Sequence, residues 1–167
     1  CGDPTKITPQ RAISSSASFP ETVKLYRIPK NTAIVDTVIK MIEINGVKFY
    51  GTPWVPIISY SWAFEGEHDT LKKWFSKIPS DIDVLITHSP PRIPGSDVDR
   101  SIQTDSEHFG SSELTEAIID KRPRFVFCGH IHTGLHGGVD FEGSRVYNVS
   151  RLDENYEIAY EPTWIEV

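Results

Sequence analysis

Two strongly apolar segments that each end in a histidine-bearing loop constrain the fold of this chain more than any other feature. Asp83–Thr87 and Arg124–Cys128 have the length and the apolar composition of strands buried in a parallel sheet. The helix predicted between them makes a strand–helix–strand unit, which places the two strands parallel with their carboxyl ends at one edge of the sheet. Ligands of open α/β sheets bind at that edge. The side chains that follow these strands are therefore the first candidates for a functional site.

Three histidines follow the two strands. His88 comes directly after the first strand, and His130 and His132 come after the second, where Gly129 is expected to provide a sharp turn. Neutral imidazole is a common ligand of Zn, Mn and Fe, so three imidazoles at one sheet edge favour a metal site. A site for two cations also needs carboxylates to offset four positive charges. Separate, hydrogen-bonded loop histidines are the alternative interpretation.

The rest of the chain predicts a mixed α/β domain. Val38–Ile44 and Val47–Gly51, separated by Asn45-Gly46, predict a hairpin with a tight turn. The prolines in Thr52–Phe64 favour a loop. Apolar residues spaced at i, i+3, i+4 and i+7 in Glu67–Ile78 predict a helix that ends before the next proline.

The second half of the chain alternates between loops and short elements. A polar loop is predicted to run to about Gly110, followed by a helix that Ser111 or Ser112 caps and that ends at Lys121. Residues 1–20 are rich in Pro, Ser, Thr and Gly, and residues 1–36 are predicted to form an irregular segment before a domain over residues 37–167. Four more strands are predicted towards the C-terminus: Gly137–Phe141, Ser144–Val149, Glu157–Tyr160 and Trp164–Val167.

Composition excludes several classes of protein. Hydrophobic residues make up 38% of the chain and charged residues 24%, which rules out a disordered chain. The net charge of −6 argues against a protein that coats nucleic acid. No apolar run reaches the ~20 residues of a membrane-spanning helix, so no membrane partner is expected. Cys1 and Cys128 are too few for a disulfide scaffold, so we expect a cytoplasmic protein.

Two motifs resemble those of the calcineurin-like metallophosphoesterase superfamily. Leu85–Pro91 is similar to the family's metal-binding histidine followed by two prolines, and Cys128–His132 is similar to its Gly-His-x-His motif. Gly51–Trp54 and Tyr147–Ser150 further resemble the branch that contains class III cyclic-nucleotide-type phosphodiesterases. The resemblance runs from about Lys40 to the C-terminus.

The resemblance implies a metal-dependent hydrolase of phosphomonoesters or phosphodiesters, built as a sandwich of two mixed sheets flanked by helices. It implies that His88 and His130 bind the second of two divalent metal ions and that His132 binds the first, the metal being Mn, Fe, Zn or Mg. Such a centre activates water for attack on phosphorus and stabilises charge on the phosphoryl oxygens. The implied partner is a phosphorylated substrate, for which a nucleotide is one candidate.

The chain departs from the family pattern elsewhere. The resemblance also implies Asp-x-His, Gly-Asp and Gly-Asn-His motifs, of which only a Gly-Asp occurs, at Gly2-Asp3, and we attribute it to coincidence. We therefore expect the C-terminal half of a metallophosphoesterase domain, with the other ligands and the general-acid histidine on a segment not present here. Alone, such a half is expected to bind metal poorly, to hydrolyse weakly and to associate through exposed sheet edges.

Two other functions are compatible with the sequence. One is a catalytically silent relative that keeps the fold as a module for binding nucleotides or proteins. The other is a small structural zinc domain, which needs a closed tetrahedral site with Cys128 as a fourth ligand beside the histidines. A cysteine on a buried strand is more often a core residue, which counts against the zinc domain.

Several further residues have two interpretations each. Trp54, Tyr60 and Trp62 either wall a pocket near the metal site, where they could stack a base, or form core under a long loop. Arg92 either pairs with a phosphate or lies on the surface. Of the remaining histidines, His68 and His108 are expected to face solvent. His136 either leans over the site or has no part in it, since its position in the sequence does not decide between the two.

Overall fold

A six-stranded mixed sheet forms the centre of the part of the chain that the structure, a computed structural model, describes: residues 41–102 and 107–166. In chain order its strands are β1 (Met41–Ile44), β2 (Val47–Thr52), β5 (Val84–Thr87), β8 (Phe125–Cys128), β9 (Gly138–Phe141) and β10 (Ser144–Asn148), and they lie in the order β1-β2-β5-β8-β10-β9. Two short sheets pair β3 (Val55–Pro56) with β4 (Glu65–Gly66) and β6 (Arg100–Ser101) with β7 (Glu107–His108). The described helices are α1 (His68–Phe75) and α2 (Ser112–Lys121). The predicted mixed α/β class is confirmed.

The predicted hairpin is confirmed over its described part. β1 and β2 pair antiparallel, with Ile44 opposite Val47. Asn45 and Gly46 have φ angles of 52° and 83°, and two positive values are what a type I′ hairpin turn requires. Residues 37–40 and the irregular segment predicted over residues 1–36 lie outside the described residues.

β1 is an edge strand of the sheet and carries exposed apolar side chains. Met41, Ile42 and Ile44 are all between 44% and 49% exposed. An exposed apolar edge strand is a site where another chain can pair. Association through this edge stays a prediction.

The strand–helix–strand unit is confirmed. β2, β5, β8 and β10 are parallel neighbours, and α2 lies between β5 and β8 in the chain. Ser111 caps α2, because its Oγ accepts a hydrogen bond from the Leu114 N–H at 3.1 Å. The carboxyl ends of β5 and β8 consequently open at one edge of the sheet.

The hydrophobic core lies on one face of the sheet. Buried sheet residues pack there against apolar side chains of both described helices: Tyr50, Leu85, Val126 and Val146 against Leu71, Phe75, Leu114 and Ile118. The prediction that Asp83–Thr87 is buried on both faces is wrong at Ile86, which is 47% exposed. Alternate strand residues point to opposite faces, so Ile86 points away from the core that its neighbour Leu85 joins.

α1 is shorter than predicted, because it spans His68–Phe75 instead of Glu67–Ile78. The two N–H groups after Ser76 donate to carbonyls three residues earlier, so the chain leaves the helix in a tighter turn. Pro79 explains this, since a proline disfavours the α conformation in the residue before it. No helix among the described residues is long and apolar enough to cross a membrane.

The predictions of strands at Glu157–Tyr160 and Trp164–Val167 are wrong. Within Glu157–Tyr160 the structure has only an isolated bridge, between Leu152 and Ile158, and the described residues 164–166 form no strand. Ile158 and Trp164 are 72% and 88% exposed. Apolar residues stabilise a strand by packing on a sheet face, and these two side chains remain in solvent.

Short strand pairs occur in both predicted loops. β3 and β4 pair in parallel around Thr52–Phe64, and the Val55 N–H donates to the Phe64 carbonyl at 3.1 Å. The prolines on either side of Val55 are compatible with this pair because neither has to donate to a central ladder. β6 and β7 form an antiparallel pair within the loop that ends near Gly110.

A buried carboxylate links the two described helices. Glu113 accepts a hydrogen bond from Ser111 Oγ at 2.7 Å, and its Oε1 lies 2.6 Å from His68 Nδ1 on α1. Burial alone would raise the pKa of Glu113, but hydrogen bonds from Ser111, from its own backbone N–H and from His68 outweigh burial and lower the pKa. His68 faces solvent as expected, with its side chain 60% exposed, and it is also paired with Glu113.

We expect Glu113→Gln to destabilise the fold in a pH-dependent way. A lowered pKa in the folded state stabilises it above the unfolded-state value of roughly 4.3, and this contribution is lost as the pH falls through the folded-state value. The variant should lose about 1 kcal/mol at pH 7 and approach the wild type below roughly pH 4. Urea unfolding at several pH values measures this, with the exposed Glu116→Gln on the same helix as control. A deficit independent of pH would contradict the prediction.

Candidate functional site

The three histidines that follow β5 and β8 line one pocket of about 510 Å³. The rings of His88 and His130 are closest, with centroids 4.7 Å apart and planes at 55°. The Gly129 N–H donates to the His88 carbonyl at 3.0 Å, which ties the two loops together just beyond the strand ends. His132 lines the same pocket. The structure thus brings these side chains together at the edge where the sequence predicts a site.

The sharp turn in the second loop lies at His130. This residue has a φ of 68°, in the left-handed region that costs non-glycine residues about 1–2 kcal/mol. Gly129 is not among the described residues with positive φ, and a Cβ on it would meet Ser150 Oγ at an ordinary 3.4 Å. The expectation that Gly129 provides the turn is therefore wrong. Contacts around His130 must hold its conformation instead.

Asn148, at the end of β10, provides such contacts. Its side chain is fully buried, and its Nδ2 donates to the Ile131 carbonyl at 2.7 Å and to the Val98 carbonyl at 3.4 Å. Its Oδ1 accepts a hydrogen bond from the Ser150 N–H at 3.0 Å. One side chain therefore fixes the loop between His130 and His132 against two other segments.

His132 is oriented by the segment after β10. Its Nδ1 lies 2.7 Å from the Asp153 carbonyl oxygen, which can only accept, so Nδ1 carries the proton and Nε2 carries the lone pair. The Asp153 carboxylate holds its own turn, because Oδ1 accepts hydrogen bonds from the N–H groups of Asn155 and Glu157. The Tyr156 ring meets the His132 ring edge-on, with centroids 5.3 Å apart.

Partial burial favours the neutral form of two of these imidazoles. Burial, together with repulsion from His88 and His132, lowers the pKa of His130 to about 4. Partial removal from water also lowers the pKa of His88. Neutral imidazole is the form that binds metal ions, so no proton has to leave these rings before a cation binds.

The donor set matches part of a metal centre. Two neutral imidazoles in contact, with a third oriented through its Nδ1, are ligands suited to Zn, Mn or Fe. Among residues 41–102 and 107–166, however, no group of three or more His, Cys, Asp or Glu side chains is arranged to hold a metal ion. Glu154 is the carboxylate that lines the pocket. The described residues therefore fit one side of a centre and do not complete it.

Cys128 does not complete the site. It is buried, and its Sγ donates to the Tyr147 carbonyl at 3.3 Å. Burial and, to a lesser degree, the nearby negative charge of Asp99 together raise the pKa of the thiol to about 12. Zinc binds the thiolate, which this environment disfavours. The geometry therefore favours a core role for Cys128 and argues against the structural zinc domain.

The other predicted candidates lie outside the pocket. His108, expected to face solvent, has its Nδ1 2.9 Å from Oδ1 of the buried Asp99. The rings of His136 and Tyr160 stack with centroids 3.5 Å apart. The Nε2 of His136 lies 2.8 Å from the His132 carbonyl, so His136 contacts the backbone of His132 from outside the pocket. Arg92 is exposed and does not line the pocket.

The three aromatic residues of the loop after β2 separate into different roles. Trp54 packs against the core and stacks on Trp74 of α1 with centroids 5.0 Å apart. Tyr60 is 78% exposed and lies outside this pocket. Trp62 lines the pocket and meets the ring of His130 edge-on at 6.3 Å. Only Trp62 therefore fulfils the interpretation of a pocket wall.

Other pocket residues have no signal in the sequence. They come from several loops and from the segment after β10, and they include Ile57, Ile58, Phe109, Glu154 and Tyr156. Single aromatic or apolar residues in loops have no periodicity that would mark them. Asn148 lies within the family-like segment Tyr147–Ser150, which does not by itself predict that its side chain is buried.

We expect Asn148→Ala to destabilise the protein by about 2–4 kcal/mol, because the Ile131 carbonyl and the Ser150 N–H lose their buried partner. Urea unfolding measures the loss. Asn155→Ala, on an exposed turn, is the matched control and should change the unfolding free energy by less than about 0.5 kcal/mol. Equal effects of the two substitutions would contradict the role given to Asn148.

Comparison with known proteins identifies the class. The family model described as calcineurin-like phosphoesterase matches residues 12–134. The chain therefore belongs to the calcineurin-like phosphoesterase family. The match begins well before Lys40, where the resemblance was expected to start, and it ends before Asn148 and Asp153.

Individual relatives agree with this assignment. The chain is 32% identical over 131 residues to UPF0046 protein T07D4.2 of Caenorhabditis elegans, covering 76% of this chain and 31% of that protein. It is 32% identical over 129 residues to UPF0046 protein C25E10.12 of the same organism, a match that covers 77% of this chain and 45% of that protein. It is 33% identical over 130 residues to human metallophosphoesterase domain-containing protein 1, covering 75% and 37%. The matched region thus spans less than half of each relative.

Proposed function

We propose that the chain provides one side of a dinuclear metal centre that hydrolyses a phosphomonoester or a phosphodiester. The observation that carries the proposal is the convergence of His88, His130 and His132 on one pocket in a member of the calcineurin-like phosphoesterase family. In this proposal the three imidazoles are ligands of two divalent cations, with Mn, Fe, Zn and Mg as candidates. Such cations, when bound, supply Lewis-acid activation of the phosphoryl group and of water.

The residues of this chain have separate tasks in the proposed centre. His88 and His130 present neutral rings from adjacent loops, and His132 presents Nε2 because its Nδ1 is hydrogen-bonded to the Asp153 carbonyl. Trp62 and Tyr156, which are 57% and 73% exposed, meet two of these rings edge-on from the pocket wall.

The pocket walls suggest the chemistry of the substrate. Half of the residues in the described lining are apolar or aromatic, and no Lys or Arg belongs to it. Neutralisation of a phosphate would then depend on the cations, while the walls suit an ester with an apolar or aromatic organic group. We propose such an ester as the substrate class.

A binding module without turnover is the second candidate. It is favoured by one observation, that no complete metal-ligand group lies within the described residues. A module of this kind would hold a phosphorylated ligand in the same pocket and release it unchanged. Turnover therefore separates the two candidates.

We expect removal of any one of the three imidazoles to weaken metal binding at least about tenfold, since each supplies a ligand bond. The measurement is calorimetric titration of Mn²⁺ into the 167-residue chain and into His88→Ala, His130→Ala and His132→Ala. His68→Ala, on α1 and outside the pocket, is the control and should bind Mn²⁺ like the wild type. Wild-type affinity in all three pocket variants would overturn the ligand assignment.

We expect Mn²⁺ to stimulate release of p-nitrophenol from bis-p-nitrophenyl phosphate, and His88→Ala or His132→Ala to abolish the stimulated rate. The physical reason is that the proposed centre activates both water and the phosphoryl group through its cations. The rate is followed by absorbance, with His68→Ala again as the control. Tight binding of the ester with no stimulated release would favour the silent binding module instead.

A further inference from the structure

The loop between β3 and β4 forms one wall of the histidine pocket. We call residues 57–64 the wall loop. Ile57, Ile58 and Trp62 line the pocket from this loop, and the ring of Trp62 stands edge-on to His130. The conformation of the wall loop therefore sets the position of the aromatic surface nearest to the imidazole pair.

Glu65, the first residue after the wall loop, binds the loop backbone with both carboxylate oxygens. Its Oε1 accepts hydrogen bonds from the N–H groups of Ile58 at 2.7 Å and Ser59 at 2.8 Å, and its Oε2 accepts one from the Trp62 N–H at 3.0 Å. Hydrogen bonds to an ionised acceptor are about twice as strong as neutral ones. One of the three fixes the backbone of Trp62 itself.

The wall loop has an unfavourable backbone that needs such support. Tyr60 and Phe64 have φ angles of 57° and 65°, a conformation that costs a bulky residue about 1–2 kcal/mol. Phe64 is anchored independently, because its ring packs edge-on against Trp54 at 5.9 Å. At the tip of the loop, the three hydrogen bonds to Glu65 oppose this cost, together with one between the hydroxyls of Ser59 and Ser61 at 2.7 Å.

We propose that Glu65 is a positioning residue, whose carboxylate holds the wall loop so that Trp62 stays against His130 and limits the space for the organic group of the substrate. The part of this inference that concerns substrate rests on the proposed phosphoesterase function. The part that concerns Trp62 and His130 does not. The alternative is that Glu65 only closes a turn, with no effect on the histidine pocket.

The first test uses the His130 ring as a probe and needs no activity. In NMR spectra of the imidazole Cε1–Hε1 groups, Trp62→Ala should shift the His130 resonance, because the indole ring current is lost. Glu65→Ala should reproduce most of that shift, and the double variant should show little more than Trp62→Ala alone. Glu65→Gln keeps one acceptor oxygen and should shift the resonance less.

The control for this test is Glu67→Ala, which removes a carboxylate two residues away. Glu67 flanks α1 and makes no side-chain cap hydrogen bond. In the Glu67→Ala variant we expect the His130 resonance to stay at the wild-type position. A wild-type His130 resonance in both Glu65→Ala and Glu65→Gln would overturn the proposal, whether or not the chain hydrolyses phosphoesters.

The second test is a double-mutant cycle on hydrolysis of bis-p-nitrophenyl phosphate. We expect Trp62→Ala and Glu65→Ala each to raise KM about three- to tenfold, the size of one lost aromatic contact, with a smaller change in kcat. Because Glu65 acts through Trp62, the double variant should have nearly the KM of Trp62→Ala alone. Fully additive effects would overturn the proposal, and a chain without activity would count against the proposed function while the NMR test still decides the role of Glu65.

Discussion

The parallel pairing of β5 with β8 is the contact on which the candidate site depends. Leu85 lies opposite Val126 and Ile86 opposite Phe127, so the two strands end side by side. The Gly129 N–H continues the contact by donating to the His88 carbonyl. A shift of one residue in either strand would reverse its faces, burying side chains such as Ile86 and exposing the core. The hydrophobic core therefore fixes the register, and the register brings the imidazoles together.

Residues at and after the end of β10, far from His88 in the sequence, also help to position the histidines of the pocket. The buried side chain of Asn148, at the end of β10, fixes the loop between His130 and His132. The Asp153 carbonyl determines which ring nitrogen of His132 carries the proton. β10 is itself a parallel neighbour of β8, so its end arrives at the same edge of the sheet. The fold thus collects functional contacts at this edge from three consecutive parallel neighbours. Only a folded sheet can assemble them, since they are far apart in sequence.

The sequence was sufficient to predict the parts of the site that follow from periodicity. Buried strands and an amphipathic helix have repeating apolar patterns, so the parallel unit and the meeting of His88 with His130 were predictable. The exposure of Ile86 was not predictable, because an apolar run does not show which face of a strand packs against another element. Trp62 and Tyr156 could not be assigned to the pocket either, since loop conformation depends on tertiary contacts such as those made by Glu65.

The pocket therefore combines two kinds of support that differ in rigidity. His88 and His130 extend from strands whose ladder and core packing involve many residues, so small changes elsewhere leave their separation intact. The aromatic walls depend on a few hydrogen bonds, three of them to the single carboxylate of Glu65. Loops on a rigid scaffold tolerate sequence change better than the scaffold does. Under the proposed function, the imidazole pair and the walls that would contact the ester are therefore held by separate parts of the structure.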